Sequence, residues 1–274
     1  MPEFTSSHGK IVFTDTATGE LPVIFMHGLP TSKELFLPMM PHLSKKFRCI
    51  TFDLNDYGES EKIGHPISHK QRADVLDELR AHLGLERFIL VAHDLGASVA
   101  IDYMETYGQF VEKLVLMSPP VYPDFVEPAI VKLVRLPVLG ELLVMVMKNA
   151  LFGRGIRQGM VHPERFTPVL QQAMAGAFSG STGRAALLRN LRWGRPHIVF
   201  AEYPRIIKSI SIPTLIIQGR RDPYIPHNQV MRLRQDIFGS ELVFIENGGH
   251  FLPMDTPQEV AEHLNRWIPA FRGM

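Results

Sequence analysis

The sequence predicts an α/β fold: a mostly parallel central sheet with helices on both faces and a helical lid insertion. Two observations predict it. Short apolar runs bounded by turn residues alternate with stretches of helical period, the pattern of a parallel sheet wrapped by its crossover helices. That alternation stops near Pro119 and resumes near Ile212, and the gap is helical in pattern, with no convincing strand.

Taken in order, Val23–Met26, Cys49–Phe52, Phe88–Ala92, Leu114–Met117, Thr214–Gln218 and Leu242–Ile245 are predicted as buried strands, because they are short, apolar and flanked by turn residues. Lys33–Leu43, Ser68–Leu83, Leu95–Tyr107 and Gln229–Phe238 are predicted as helices between them, with Gln258–Phe271 as a closing helix. The gap is rich in Met, Leu and Arg and is broken by Pro137, Pro163, Pro168 and Pro196. Helices inserted after one strand and before the next would cover the sheet's carboxyl edge, where open α/β sheets bind ligands. The expected organisation is a core of residues 1–118 and 213–274 and a helical cap of residues 119–212, all one structural unit.

A chain of 274 residues with 45% apolar content can bury a large core as one domain. Its net charge of +1 argues against nucleic acid or an acidic membrane surface as the obligatory partner. One cysteine, Cys49, excludes an internal disulfide framework and a multi-cysteine metal site. Cys49 sits in an apolar strand and is expected to be a buried bystander. Met1–Lys10 is polar and lacks the apolar run of a signal peptide. The richest apolar stretch, Leu136–Leu151, is interrupted by Gly140, Glu141, Lys148 and Asn149. A cytoplasmic protein is expected, without cofactor or metal, acting on a small apolar organic substrate and making no nucleic-acid or membrane contact. A homodimer is compatible with the sequence, which does not fix the oligomeric state.

The strongest local signal is Ile89-Leu90-Val91-Ala92-His93-Asp94-Leu95-Gly96-Ala97, an apolar strand running straight into a helix through small residues. Such a sharp turn lifts one side chain clear of the sheet, as in a nucleophile elbow. Here that side chain is Asp94, where Ser is commoner. The competing interpretation is a plain helix cap, a frequent task for Asp. Three further segments favour chemistry. Phe25-Met26-His27-Gly28-Leu29-Pro30 follows a strand, so the N–H groups of Leu29 and Leu95 are expected to form an oxyanion hole. His27 and His93 flank the two turns and are candidate pocket residues, although His27 in such a turn more often props the loop. In Gln218-Gly219-Arg220-Arg221-Asp222-Pro223, Asp222 suits the carboxylate that orients an imidazole. In Asn247-Gly248-Gly249-His250, His250 is the Gly-flanked histidine that Asp222 would orient. Most other histidines, such as His42, His69, His82 and His263, lie in polar helical patterns and are expected on the surface.

With these motifs on view, the chain resembles the α/β-hydrolase family over nearly its whole length. His27-Gly28-Leu29-Pro30-Thr31-Ser32, Asp53-Leu54-Asn55-Asp56-Tyr57-Gly58-Glu59-Ser60 and His93-Asp94-Leu95-Gly96 look like its Asp-nucleophile branch, the epoxide hydrolases and haloalkane dehalogenases. The resemblance implies catalysis by Asp94, Asp222 and His250. Asp94 would attack saturated carbon to give an alkyl ester, which a water activated by His250 would then hydrolyse.

The leaving group separates the branch's activities. A dehalogenase of this kind usually holds halide with a Trp after the nucleophile and a second Trp or Asn. Here Leu95 and Leu29 fill those positions, and Trp193 is the lone halide candidate, since Trp267 in the closing helix is expected to pack on the sheet. An epoxide hydrolase needs a proton donor, generally a lid tyrosine, and Tyr203 and Tyr122 are the candidates, each equally readable as a structural tyrosine tying lid to core, with His162 and His197 weaker. Epoxide opening is the preferred activity and haloalkane dehalogenation the alternative. A carboxylesterase or lactonase remains open if Asp94 replaces a Ser, as does a ligand receptor without catalysis. The cap's Arg135, Lys148, Arg154, Arg157, Arg165, Arg184, Arg189, Arg192 and Arg195 are expected on a solvated outer face. Met145, Met147, Met160 and Met174 would line an adaptable pocket or pack in the core.

Overall fold

The structure is a computed structural model and describes residues 1–43, 45, 47–146, 149–192 and 194–270. Eight strands form one sheet in the order β1-β2-β4-β3-β5-β6-β7-β8. They are β1 (Glu3–Ser6), β2 (Gly9–Asp15), β3 (Leu21–Met26), β4 (Phe47–Phe52), β5 (Phe88–His93), β6 (Val111–Met117), β7 (Thr214–Gly219) and β8 (Glu241–Ile245). The last six are parallel to one another, whereas β1 and β2 form an antiparallel hairpin whose second strand pairs with β4. All six strands predicted from apolar runs are present. The hairpin was not anticipated: β1 alternates exposed and buried residues, with Phe4 turned inward, so its polar half hides a strand in a short terminal stretch.

Thirteen helices are seen among the described residues. On the core lie α1 (Met40–Leu43), α2 (His69–His82) and α3 (Leu95–Tyr107). Between β6 and β7 come α4 (Ala129–Val134), α5 (Leu139–Val146), α6 (Asn149–Gln158), α7 (Pro168–Gly176), α8 (Gly180–Arg192), α9 (Pro196–Val199) and α10 (Tyr203–Ser209). The chain closes with α11 (His227–Asp236), α12 (Leu252–Asp255) and α13 (Pro257–Ala270). The single helix expected over Lys33–Leu43 is instead a 3-10 turn at Lys33–Phe36 followed by the short α1. Pro38 and Pro41 lack the N–H groups that a continuous helix would need, and the Lys33 backbone N–H and ammonium both bind the Asp53 carboxylate, at 2.8 and 3.0 Å. Capping explains α2: Ser68 and Gln71 exchange a reciprocal pair of side-chain-to-backbone bonds, the capping box.

A parallel sheet sends every strand's carboxyl end to the same edge. Met26 lies beside Ala92, His93 beside Met117 and Met117 beside Ile217, so the turns after β3, β5 and β7 converge there. The two inner strands β3 and β5 are almost wholly buried, as covering on both faces requires. Cys49 is buried as expected, and burial pushes its thiol up to about 12, which keeps it unreactive. Trp267 packs in the core and donates to Glu241 at 2.8 Å. No helix among the described residues is long and apolar enough to cross a membrane.

Candidate active site

The turn after β5 is built as the sequence requires. Asp94 has φ 51° and ψ −121°, a conformation that costs an L-residue energy and persists only where its surroundings enforce it. Small neighbours make room. A Cβ on Gly96 would meet the carbonyl oxygens of Met26 and His27 at 2.5 and 2.6 Å, and one on Gly28 would meet Asp94 itself at 2.5 Å. Asp94 is not a side-chain cap of α3, since its carboxylate makes no capping bond. Instead Oδ1 accepts the Leu29 N–H at 2.8 Å, and the nearby Leu95 N–H favours the charged form of the carboxylate. Of the two expected oxyanion donors, Leu29 is bonded to Asp94 and Leu95 acts on it as a neighbour.

The other carboxylate oxygen faces a histidine. His250 Nε2 lies 3.4 Å from Asp94 Oδ2, while its Nδ1 lies 2.9 Å from Asp222 Oδ2. The three residues singled out from separate loops are therefore brought into one chain of contacts. Asp222 is fixed by the N–H groups of Tyr224 and Ile225, at 2.8 and 3.1 Å, and by the Gln218 amide at 3.1 Å. Burial pushes the Asp222 carboxyl up, but His250 and those N–H groups outweigh it and leave it at about 2. Burial works against the imidazolium of His250 as well, yet the two carboxylates beside it hold its pKa at about 10. Asp94 is likewise kept below the usual carboxylate range, against burial, by His250, His93 and the Leu95 N–H. In the free protein the imidazolium is thus clamped between two anions.

Four expected pocket or donor residues serve other tasks. Leu54 N–H donates to His27 Nε2 at 3.1 Å, which leaves Nδ1 to donate to the Gly28 carbonyl at 3.0 Å. His27 is fully buried behind the oxyanion turn and braces it. His93 Nε2 donates to the His250 carbonyl at 2.9 Å, and the Ser118 hydroxyl joins it at 3.3 Å. It steadies the histidine loop and does not line the cavity. Burial lowers both imidazoles to about 4, so they are neutral props. Tyr203 donates to Asp102 at 2.6 Å, and Tyr122 donates to Asp236 at 2.8 Å. Both are buried away from the cavity, Tyr203 tying α10 to α3 and Tyr122 tying the segment after β6 to α11, so neither is placed to protonate a leaving group. Trp193 lies outside the described residues.

The structure also places residues that the motifs did not reveal. His69, expected on the surface, is buried and lines the cavity. Its Nδ1 lies 3.1 Å from the Tyr203 oxygen. Because Tyr203 spends its proton on Asp102, Nδ1 must donate, and burial drives His69 down to about 3. Its position in a polar helical pattern gave no hint of this. Tyr224, two residues after Asp222, lines the cavity and sets its ring edge-on to His250 at 5.1 Å. Asp255 accepts from Gly249, Val161 and His162 N–H at 2.7, 2.9 and 2.7 Å, which pins the insertion to the histidine loop. His250 N–H in turn donates to the Gly159 carbonyl at 2.7 Å.

Above Asp94 lies a cavity of about 680 Å³, lined mainly by apolar side chains such as Phe125, Leu143, Phe152, Leu187 and Phe251. Its walls come from the sheet edge and from the helices between β6 and β7. Of the two expectations for the methionines, core packing holds for Met160 and Met174, while Met145 is exposed and Met147 lies outside the described residues. The basic residues are not simply a solvated face. Arg135, Arg189 and Arg192 pair with Glu127, Asp56 and Glu141, and Arg154 and Arg195 line the cavity.

A strained carboxylate beneath two backbone N–H groups, facing a histidine–aspartate pair across an apolar cavity, on this sheet order, defines a hydrolase-type site. The alpha/beta hydrolase family model matches residues 23–263, and the chain belongs to that family. It is 26% identical over 267 residues to haloalkane dehalogenase 2 of Mycobacterium tuberculosis, covering 94% of this chain and 91% of that one. Among solved structures it resembles the haloalkane dehalogenase DbeA of Bradyrhizobium elkani, with TM-score 0.86 and 21% identity over 98% of this chain and 97% of that one. It also resembles the epoxide hydrolase CorEH, with TM-score 0.84 and 19% identity over 99% of each chain. The family match, with hydrolases among the relatives, supports an enzyme.

Proposed function

We propose that the chain hydrolyses epoxides through an alkyl ester of Asp94. One observation carries this reading: the Asp94 carboxylate holds Oδ1 in the oxyanion site and presents Oδ2 toward His250 below an apolar cavity. In this reading residues 119–212 act as a cap on a core of residues 1–118 and 213–274, and the cavity walled by both supports it.

Oδ2 attacks an epoxide carbon, the C–O bond breaks, and the new alkoxide takes a proton from Tyr224. Burial and the nearby Asp222 and Asp94 carboxylates raise the Tyr224 pKa, so the phenol is present as a donor. Esterification removes the negative charge of Asp94, one of the two anions that hold the His250 proton. The imidazolium then gives that proton to the Tyr224 phenolate beside it and becomes the base. It takes a proton from water, and the hydroxide adds to the Asp94 carbonyl carbon. The charge that develops on Oδ1 falls where the Leu29 N–H already points, with the Leu95 N–H as the second donor of this reading. Collapse expels the substrate oxygen, which leaves with the proton from His250 as a diol, and the Asp94 carboxyl then gives its remaining proton to His250, restoring the starting carboxylate and imidazolium.

Haloalkane dehalogenation is the second reading, favoured by the relative of that name that matches 94% of this chain. It shares the ester but needs no Tyr224 proton. A panel of small epoxides and chloro- and bromoalkanes separates the two. Diol formation with little halide release is expected, and efficient halide release without epoxide turnover would reverse the order.

A further inference from the structure

The cavity wall carries a charge that this chemistry does not use. Arg72, on α2, is 3% exposed and lines the cavity. Its guanidinium donates to the Asn55 carbonyl at 2.9 Å and to Asn190 Oδ1 at 2.7 Å, and lies 5.5 Å from the Tyr57 ring centroid. None of these neighbours is an anion. Asp56, whose charge reaches Arg72, is taken by Arg189 at 2.7 Å. Among the described residues no carboxylate forms a salt bridge with Arg72, and of the five N–H donors of a guanidinium these bonds use two. A cation buried in this way is costly unless something anionic pairs with it.

The surroundings point the same way. The Tyr57 hydroxyl, under the same guanidinium, is buried with no hydrogen-bond partner among the described residues. Arg154 and Arg195 line the cavity as exposed residues, and among the described residues neither has an acidic partner. The cavity's own acids are already matched, Glu127 by Arg135 and Asp94 by His250. Positive charge is thus in excess around an otherwise apolar space.

We propose that Arg72, held in place by Asn190, is a subsite for a carboxylate on the substrate. The class of substrate is then an amphiphilic carboxylic acid whose chain fills the apolar cavity and whose electrophilic carbon reaches Asp94. A carboxylate fits better than a phosphate monoester: one unpaired buried cation balances one charge, and the planar guanidinium matches a carboxylate in a two-bond fork. Arg154 and Arg195 draw the anion to the cavity. The electrophile half of this proposal rests on the Asp94 reading, and the binding half does not.

Calorimetric titration of the whole protein with hexanoate and with hexanamide tests the binding half, because neither probe has an electrophilic carbon. Hexanoate is expected to bind at least tenfold more tightly. Arg72→Met should erase that preference while leaving hexanamide affinity within threefold, and Arg72→Lys should restore part of it. Equal binding of the two probes, binding of neither, or a preference that survives Arg72→Met overturns the subsite. Should Arg72→Met fail to fold by circular dichroism, Asn190→Leu decides instead. It keeps the charge but frees the fork, and must cut the preference at least threefold; an unchanged preference overturns the proposal. Turnover of 5,6-epoxyhexanoate against 1,2-epoxyhexane then separates the two claims. A hexanoate preference with no turnover of either epoxide removes the Asp94 reading and leaves the subsite. Turnover of both at equal kcat/KM, with no hexanoate preference, removes the subsite and leaves the Asp94 reading.

Discussion

The Leu29 N–H donates to Asp94 Oδ1 across 2.8 Å, although 65 residues separate the two in sequence. That contact exists because β3 and β5 are parallel neighbours and because Gly28 has no side chain. An added Cβ there would lie 2.5 Å from both Asp94 Cβ and Oδ1. Gly28→Ala should therefore displace the carboxylate from its donors. A fall in kcat of roughly 10²–10³-fold is expected, the usual cost of losing an oxyanion donor, with a native circular dichroism spectrum. Near-normal kcat would mean that this donor plays no part in the reaction.

Among the described residues Tyr224 is the tyrosine that lines the cavity, its hydroxyl held only by a long 3.3 Å bond to the Gly155 carbonyl, whereas Tyr203 and Tyr122 are engaged by the Asp102 and Asp236 carboxylates at 2.6 and 2.8 Å. Tyr224→Phe should lower epoxide turnover by about 10²–10⁴-fold, the range for a positioned proton donor. Tyr203→Phe and Tyr122→Phe should instead lower the unfolding free energy by about 1–3 kcal/mol each, since each leaves a carboxylate without its donor, and should spare the chemical step. Steady-state kinetics and urea unfolding of the three variants would show the opposite pattern if a cap tyrosine were the acid.

Asp255 links the insertion to the loop that carries His250, accepting three N–H groups while fully buried. Asp255→Ala orphans all three. A loss on the order of 2–5 kcal/mol of stability is expected from urea unfolding, together with a drop in kcat as the histidine loop loosens. Unchanged stability would show that the Asp255 bonds contribute nothing net.

These relationships mark where the sequence was legible. The six parallel strands and α3 follow from apolar runs and a small-residue turn, both local signals, and so did Asp94, Asp222 and His250, each marked by its own turn. The hairpin of β1 and β2 was missed because its alternation is short and half polar. The roles of Tyr203 and Tyr122 stayed open, and His69 was misplaced, for a different reason. Which way a helical side chain faces depends on the packing of distant segments: Tyr203 meets Asp102 and His69 across 101 and 134 residues. Arg72, in a polar helical stretch, gave no sign that it would be buried against a cavity.

The imidazole of His250 sits at about 10 in the folded chain, above the 6.5 of an unperturbed histidine. Its proton therefore stabilises the fold. That contribution is fully present below about pH 6.5 and is lost as pH rises through about 10. The melting temperature should fall between pH 7 and pH 10, and His250→Gln should flatten that fall. Parallel melting curves for both proteins across the range would contradict a histidine clamped between Asp94 and Asp222.

The central claim is that Asp94 attacks carbon and that His250 is needed to hydrolyse the resulting ester but not to form it. His250→Gln, mixed with 1,2-epoxyhexane, should gain the mass of one substrate molecule in intact-protein mass spectrometry, and peptide mapping should place it on Asp94. The ester should persist, because a positioned base contributes ~10²–10⁴-fold to its hydrolysis. Asp94→Ala should gain no mass. An adduct on any other residue, or none in His250→Gln despite wild-type turnover of the same epoxide, would contradict the account.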